Sequence, residues 1–242
     1  MSAQHQHADY VPVPLPEKLQ RPALRVHHDD ADPGILSGTD EKLNFYTHGA
    51  GFAASVIGTS VLFLACQGLG DFWLTIACVL YGLALMSVFG ASTLSHGDFS
   101  QEKRHLFRTL DQVSIFLLIA ASSSPFLLAY CRNWWGMCLL GGTWALALAG
   151  AGAKLFVTRK HIVPVWYYVL VGWFPAMSLI NIAPMLGYGG VGLLLASGVG
   201  FTTGVWFLVN DHRATWYHAI WHVLVVLSTG CQYCAILFFV VR

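Results

Sequence analysis

Seven long apolar runs constrain this chain more than any other feature. Each has about the 20 residues that an α-helix needs to cross the hydrocarbon core of a bilayer. The pattern therefore predicts an all-α integral membrane protein, a bundle of seven transmembrane helices. The predicted spans are 45–66, 72–95, 109–131, 133–153, 163–185, 187–209 and 217–241.

The composition agrees with a membrane location and narrows the possible partners. Only 10% of the residues are charged, against about 25% in soluble domains, and the mean hydropathy is +0.59. The net charge of +1 provides no basic field, which disfavours nucleic acid as a partner. We interpret the six cysteines as small apolar packing residues, because their spacing matches no zinc motif.

Residues 1–40 differ from the rest of the chain. They are rich in histidine, proline and aspartate and show no apolar period. We expect a disordered tail on the cytoplasmic side, followed by a transmembrane domain over residues 41–242. The four histidines of this tail are interpreted as solvated.

The basic residues beside the span ends predict the orientation. Lys42, Lys103, Arg104, Arg108, Lys154, Arg159, Lys160 and Arg213 collect on one side, whereas only Arg132 and Arg242 lie on the other. Because lysine and arginine accumulate in cytoplasmic loops, the N-terminus is predicted to be cytoplasmic. The expected location is the inner or plasma membrane of the cell.

Ionisable groups gather at one end of the predicted bundle. His218 and His222 lie four residues apart, on one face of the last helix. His96 ends the second span, one turn after Ser92, and Asp111 is placed in the first turn of the third span. Because ionisable residues are costly inside a membrane, such a group indicates a functional site.

This set of residues suits a catalytic zinc centre. Such centres use three protein ligands and leave a fourth position for water. We predict that His96, His218 and His222 bind Zn²⁺. Asp111 would hold or deprotonate the metal-bound water, and Ser92 would hydrogen-bond the substrate or a group that supports the site. Alternatively, the pair on the last helix binds lipid headgroups. His48 is interpreted as structural, and His212 as an ion-pair partner of Asp211.

These residues also resemble a known family, the haemolysin III and progestin/adipoQ receptor family. The resemblance covers residues 41–241 and implies a seven-helix bundle with its N-terminus inside and a zinc ion on His96, His218 and His222. Asp111 and Ser92 match the accompanying polar pair. The matching motifs are Glu41-x-x-Asn44-x-x-Thr47-His48, Ser92-x-x-x-His96, Asp111-x-x-x-Ile115 leading to Pro125, and His218-x-x-x-His222.

Two positions depart from the family pattern. Ser95 replaces the usual aromatic residue before the first zinc histidine, and Ser122-Ser123-Ser124 replaces a glycine-threonine-tyrosine sequence before Pro125. Both departures concern the pocket that would admit substrate. The short tail and compact loops resemble the bacterial haemolysin III branch.

Three functions follow as hypotheses. The resemblance extends to alkaline ceramidases and implies a zinc-dependent hydrolase that cleaves an amide or ester in a membrane lipid, either ceramide-like or a phospholipid. The alternatives are a sensor of membrane lipids with structural zinc and a pore-forming cytolysin. A pore is disfavoured because its path would need polar residues along several helices. A retinal-binding pump is excluded because the last span contains no lysine for a Schiff base.

The predicted orientation can be tested with sealed right-side-out vesicles. Added protease is expected to leave the N-terminal tail intact, because the basic residues place it inside. Permeabilised vesicles provide the control, in which the tail should be cleaved. Cleavage in sealed vesicles would mean that the orientation is inverted.

Overall fold

A computed structural model describes residues 38–157, 165–214 and 216–242, and these ranges contain seven α-helices and no strand. The all-α prediction is confirmed. The predicted tail lies outside the described residues, apart from Gly38 and the two residues after it, which begin α1. The helices are α1 Gly38–Gln67, α2 Phe72–Ser95, α3 Gln101–Tyr130, α4 Trp134–Gly152, α5 Val165–Trp173, α6 Leu179–Val209 and α7 Trp216–Phe239.

Six stretches within these ranges are long and apolar enough to cross a membrane. Five of them correspond to the predicted spans one to four and seven. The remaining stretch, Val165–Val209, has 45 residues and covers α5, a 3₁₀ turn at Phe174–Ser178 and α6. The protein is therefore a multi-pass integral membrane protein.

The 45-residue stretch reverses direction at Gly187. This glycine has φ 63° and ψ 179°, a backbone conformation that glycine adopts without a side-chain clash. The indole Nε1 of Trp173 donates a hydrogen bond to Thr202 Oγ1 at 3.1 Å. In one straight helix these residues would be about 44 Å apart at 1.5 Å per residue. The two arms therefore pack against each other, and they meet where the sequence separates the fifth and sixth predicted spans.

α3 is longer than its predicted span. It begins at Gln101, so Asp111 lies almost three turns into the helix, and its predicted place in the first turn was wrong. The charged segment before residue 109 continues the helix because its Glu, Lys, Arg and Leu residues are good helix formers. The apolar pattern detects only the part of a helix that lies in lipid.

The core lies between α1, α2, α3 and α7, where Leu62, Tyr81, Leu127 and Ile236 are fully or almost fully buried. The hydroxyl of Tyr81 donates a hydrogen bond to the backbone carbonyl of Thr229 at 3.2 Å, which ties α2 to α7. This contact aligns the two helices that carry the candidate ligands. All six cysteines are free.

Asp71 links two segments at the end of the bundle where α2 begins. Its carboxylate accepts a hydrogen bond from the Leu74 backbone N–H at 3.1 Å, capping α2, and also pairs with Arg132 in the connection between α3 and α4. The cap and the guanidinium hold the pKa of Asp71 below its ordinary value. The ionised form is therefore the one that stabilises the fold.

Replacing Asp71 with alanine is expected to lower stability near neutral pH. Loss of an N-cap costs about 1 kcal/mol, or roughly 2–4 °C in Tm for a chain of this size. Because a lowered pKa contributes stability above the unfolded value of about 3.9 and loses it below the folded value, the difference from wild type should vanish in acid. Thermal unfolding in detergent at several pH values measures this effect. Asp98→Ala, at an exposed position, is the matched control, and an equal loss there would contradict the capping role.

Candidate functional site

Three histidines meet where α2 ends and α7 begins. His96 is the C-terminal cap residue of α2, while His218 and His222 lie in the first two turns of α7. Their ring centroids are 5.4 Å apart for His96 and His218, 4.9 Å for His96 and His222, and 4.7 Å for His218 and His222. One nitrogen from each ring lies within 4.8 Å of the other two. The structure thus brings together the three residues that the sequence selects as ligands.

Each of these imidazoles has a partner at its Nδ1 atom. Glu41 Oε2 lies 2.6 Å from Nδ1 of His96, and Asp211 Oδ2 lies 3.3 Å from Nδ1 of His218. Nδ1 of His222 lies 2.7 Å from Nε2 of His48. Hydrogen bonds at Nδ1 orient a ring and leave its Nε2 atom for a metal.

The Nε2 atom of His222 supports this interpretation. His222 is 1% exposed, and its Nε2 has no hydrogen-bond partner among the described residues. A buried polar atom without a partner is destabilising, whereas a metal ion would use the lone pair. Three neighbouring imidazoles with oriented rings therefore fit a divalent metal ion.

Glu41 also connects the site to α3. Its Oε1 atom accepts a hydrogen bond from Nη2 of Arg104 at 2.9 Å, so one carboxylate bridges a guanidinium and the His96 ring. Sequence reasoning quoted Glu41 only as part of a motif and missed this role. The spacing of Glu41, Asn44 and His48 on one face of α1 was the available signal; nothing in the sequence indicated Arg104.

The His212 assignment needs correction, and His48 has a specific partner. His48 has no partner apparent in the sequence, yet the structure places it against His222, with ring centroids 4.0 Å apart and 2% exposure. Asp211 pairs with His218 rather than with the neighbouring His212. The chain turns between Asp211 and α7, which brings the carboxylate back over the first turn of the helix.

Asn44 lies on the same face of α1 as Glu41 and His48. It is fully buried, and neither its Oδ1 nor its Nδ2 atom has a partner among the described residues. The end of the bundle that carries the histidines therefore retains unused hydrogen-bonding capacity.

Ser92 and Asp111 line a cavity that also reaches His48. The two side chains are close enough to interact, but the Ser92 hydroxyl has no hydrogen-bond partner of normal geometry among the described residues. From this end the cavity runs between α3, α5, α6 and α7 to Gln232, and most of its lining is apolar. The three candidate ligands lie beside the cavity rather than along it.

The fold and the site together define a multi-pass membrane protein with a candidate metal centre at one end of its helix bundle. The family model described as haemolysin-III related matches residues 36–233. The chain belongs to that family, which confirms the resemblance seen in the motifs.

Curated relatives match over most of their length. Hemolysin-3 of Bacillus cereus is 31% identical over 202 residues, covering 83% of this chain and 92% of the relative. The Hemolysin-3 homolog of Bacillus subtilis (strain 168) is 26% identical over 204 residues, covering 84% and 95%. The Monocyte to macrophage differentiation factor of Homo sapiens is 28% identical over 208 residues, covering 80% and 81%.

If the cluster holds a metal ion, alanine at position 96, 218 or 222 is expected to abolish stoichiometric binding, because each change removes one of three candidate ligands. Glu41→Gln should retain the ligands but weaken metal affinity by about 10–100-fold, since the carboxylate that orients His96 is lost. Elemental analysis of purified protein after dialysis against a competing chelator measures both effects.

The control is His105→Ala, which removes an exposed histidine of α3 and should leave metal content unchanged. Wild-type metal content in all three ligand variants would exclude this centre.

Proposed function

We propose that this haemolysin-III related protein is a zinc-dependent hydrolase that cleaves an amide or ester bond in a membrane lipid. The observation that carries the proposal is the arrangement of His96, His218 and His222 around a common point, each with its Nδ1 engaged. Beside them, a mainly apolar cavity begins at Ser92 and Asp111. The candidate metal centre thus lies next to a cavity that suits a lipid chain.

The donor set supports zinc. Three imidazole ligands are typical of catalytic zinc sites, which keep a fourth position open. When bound, zinc lowers the pKa of water towards 7 and polarises carbonyl oxygens. Glu41, Asp211 and His48 would hold the three rings in position through their contacts with Nδ1.

Asp111 is the proposed general base. Its carboxylate would take a proton from the attacking water as the new carbon–oxygen bond forms at the substrate carbonyl. The same proton would pass to the leaving nitrogen or oxygen as the carbon–nitrogen or carbon–oxygen bond breaks. Ser92, one turn before His96, would donate its hydroxyl hydrogen to the Asp111 carboxylate or to the substrate carbonyl.

The cavity supports a lipid as the substrate. Its walls contain side chains such as Ile115, Leu118 and Phe201, which suit an acyl chain because burial of apolar surface is the main source of affinity there. A ceramide-like lipid or a phospholipid supplies both an acyl chain and a hydrolysable carbonyl.

We further propose seven membrane crossings with the N-terminus in the cytoplasm, which puts the histidines at the cytoplasmic face. The reversal at Gly187 supports the crossing count, because it divides the 45-residue stretch into two arms. The eight basic residues on one side against two on the other support the orientation.

A sensor with structural zinc is the second candidate. The low exposure of His222 and His48 favours it, because a structural centre is closed to water. A pore receives less support, since the cavity lining is mostly apolar.

Asp111→Asn separates the two candidates. On the hydrolase proposal the variant should fold and retain zinc but lose about 10²–10⁴-fold in turnover, the usual contribution of a general base. Zinc content, thermal stability and release of fatty acid from a lipid panel, detected by mass spectrometry, are measured on one preparation.

Asp98→Asn makes the same change at an exposed position and should retain turnover. Full turnover by metal-loaded Asp111→Asn would remove the catalytic role. Absence of any lipid hydrolysis by zinc-loaded wild type would favour the sensor.

A further inference from the structure

Polar side chains line the cavity at two levels along the bundle. The first contains Ser92 and Asp111, and the second, which contains Ser122 and Gln232, lies deeper and away from the histidines. Gln232 of α7 follows His222 by ten residues, and Ser122 of α3 follows Asp111 by eleven. At a rise of 1.5 Å per residue, both lie about 15 Å further along the bundle. The cavity wall between the two levels is formed mainly by apolar side chains.

Hydrogen bonds already made at this level use the hydroxyl hydrogens of Ser122 and Ser123. The Ser122 hydroxyl donates to the Ile119 carbonyl at 3.1 Å and accepts from Gln232 Nε2 at 3.5 Å. The Ser123 hydroxyl donates to the Ala120 carbonyl at 2.9 Å. Because the Ser122 hydroxyl donates its only hydrogen to Ile119, its oxygen accepts from Nε2 of Gln232, and Oε1 is the amide atom that remains.

The Oε1 atom of Gln232 is consequently an acceptor without a partner. It is buried, and no described residue donates to it. An unsatisfied acceptor is destabilising in any protein interior, and no surrounding lipid can satisfy it. The terminal torsion of glutamine is broad, so a small rotation would present Oε1 to a donor in the cavity.

We propose that the cavity takes an acyl chain that carries a hydroxyl group on about its twelfth carbon atom, counted from the carbonyl carbon. The hydroxyl hydrogen is donated to Oε1 of Gln232 and gives this buried acceptor a partner. The inference rests on the proposed function, which places the carbonyl beside Asp111. An extended chain advances about 1.2 Å per bond, so about 12 bonds span the separation between the two levels.

The cavity continues beyond Ser122 and Gln232. The length of this extension limits the length of the acyl chain. On α3 its lining extends from Asp111 to Leu127, five residues past Ser122, or about 7 Å more at the rise of an α-helix. That distance accommodates roughly six further carbon atoms by the same bond advance. A chain of about 18 carbon atoms with a hydroxyl at position 12 therefore matches both the length and the polar level.

The test compares the binding of three fatty acids, namely 12-hydroxyoctadecanoic acid, octadecanoic acid and 6-hydroxyoctadecanoic acid. Each competes with a fluorescent fatty acid for the full-length wild-type protein in lipid nanodiscs. The 12-hydroxy acid is expected to bind about three- to tenfold more tightly than octadecanoic acid, the usual range for one net hydrogen bond. The 6-hydroxy acid should bind more weakly than octadecanoic acid, because its hydroxyl would face apolar side chains near Ile115.

Variants assign the preference to one side chain. Gln232→Met keeps a similar length without an acceptor, and it should bind octadecanoic acid as wild type does while losing the preference. Ser122→Ala, a second variant, should reduce the preference by releasing the amide. Gln112→Met makes the same change at a glutamine whose Oε1 is also unpartnered but which does not line the cavity, so it should keep the preference.

Equal wild-type affinities for the 12-hydroxy acid and octadecanoic acid would overturn the inference, as expected if a trapped water satisfies Oε1. Failure of every fatty acid to bind, or full preference in folded Gln232→Met, would also overturn it. Binding does not require turnover, so the two proposals fail separately. A preference without lipid hydrolysis would count against the hydrolase alone, and hydrolysis without a preference against the hydroxylated chain alone.

Discussion

The engagement of each imidazole Nδ1 by a neighbouring side chain is the interaction on which the site depends. A histidine ring at the end of a membrane helix can rotate, and an unpaired ring nitrogen there is costly because lipid offers no hydrogen bonds. Glu41, Asp211 and His48 occupy the three Nδ1 atoms. With those atoms engaged, the Nε2 atoms remain for a shared ligand. The geometry of the centre is thus set by α1 and by the connection before α7 as much as by the ligand helices.

The same requirement to satisfy polar groups explains how the serine side chains of α3 are hydrogen-bonded beside the cavity. Serine hydroxyls on α3 donate to carbonyls of their own helix one turn earlier, a common solution for serine inside membranes. This leaves their oxygens as acceptors at the polar level that contains Gln232. The three-serine sequence, a departure from the family pattern, contributes to that level through Ser122 and Ser123. Ser124 instead accepts a hydrogen bond from the Trp144 indole at 3.1 Å.

Membership of the haemolysin-III related family accounts for the architecture. The activity has to be inferred from the residues of the candidate site. Relatives with names as different as Hemolysin-3 and Monocyte to macrophage differentiation factor match this chain over at least four-fifths of its length. One fold can support several functions, and the chemistry depends on particular side chains. The residues to compare among relatives are therefore the three candidate-ligand histidines, their Nδ1 partners and the buried acceptor of Gln232.

The sequence by itself determined the membrane class, the helical fold and the choice of His96, His218 and His222. Hydropathy locates the spans because each must cross the same thickness of lipid, and helix direction alternates, so the ends that carry the three histidines fall together. Only the tertiary structure decided that Glu41, Asp211 and His48 pair with those rings, that α3 begins at Gln101 and that Gln232 meets Ser122. These contacts depend on how each helix is rotated about its axis and packed against its neighbours. Hydropathy carries little of that information, because lipid-facing and buried positions are both apolar.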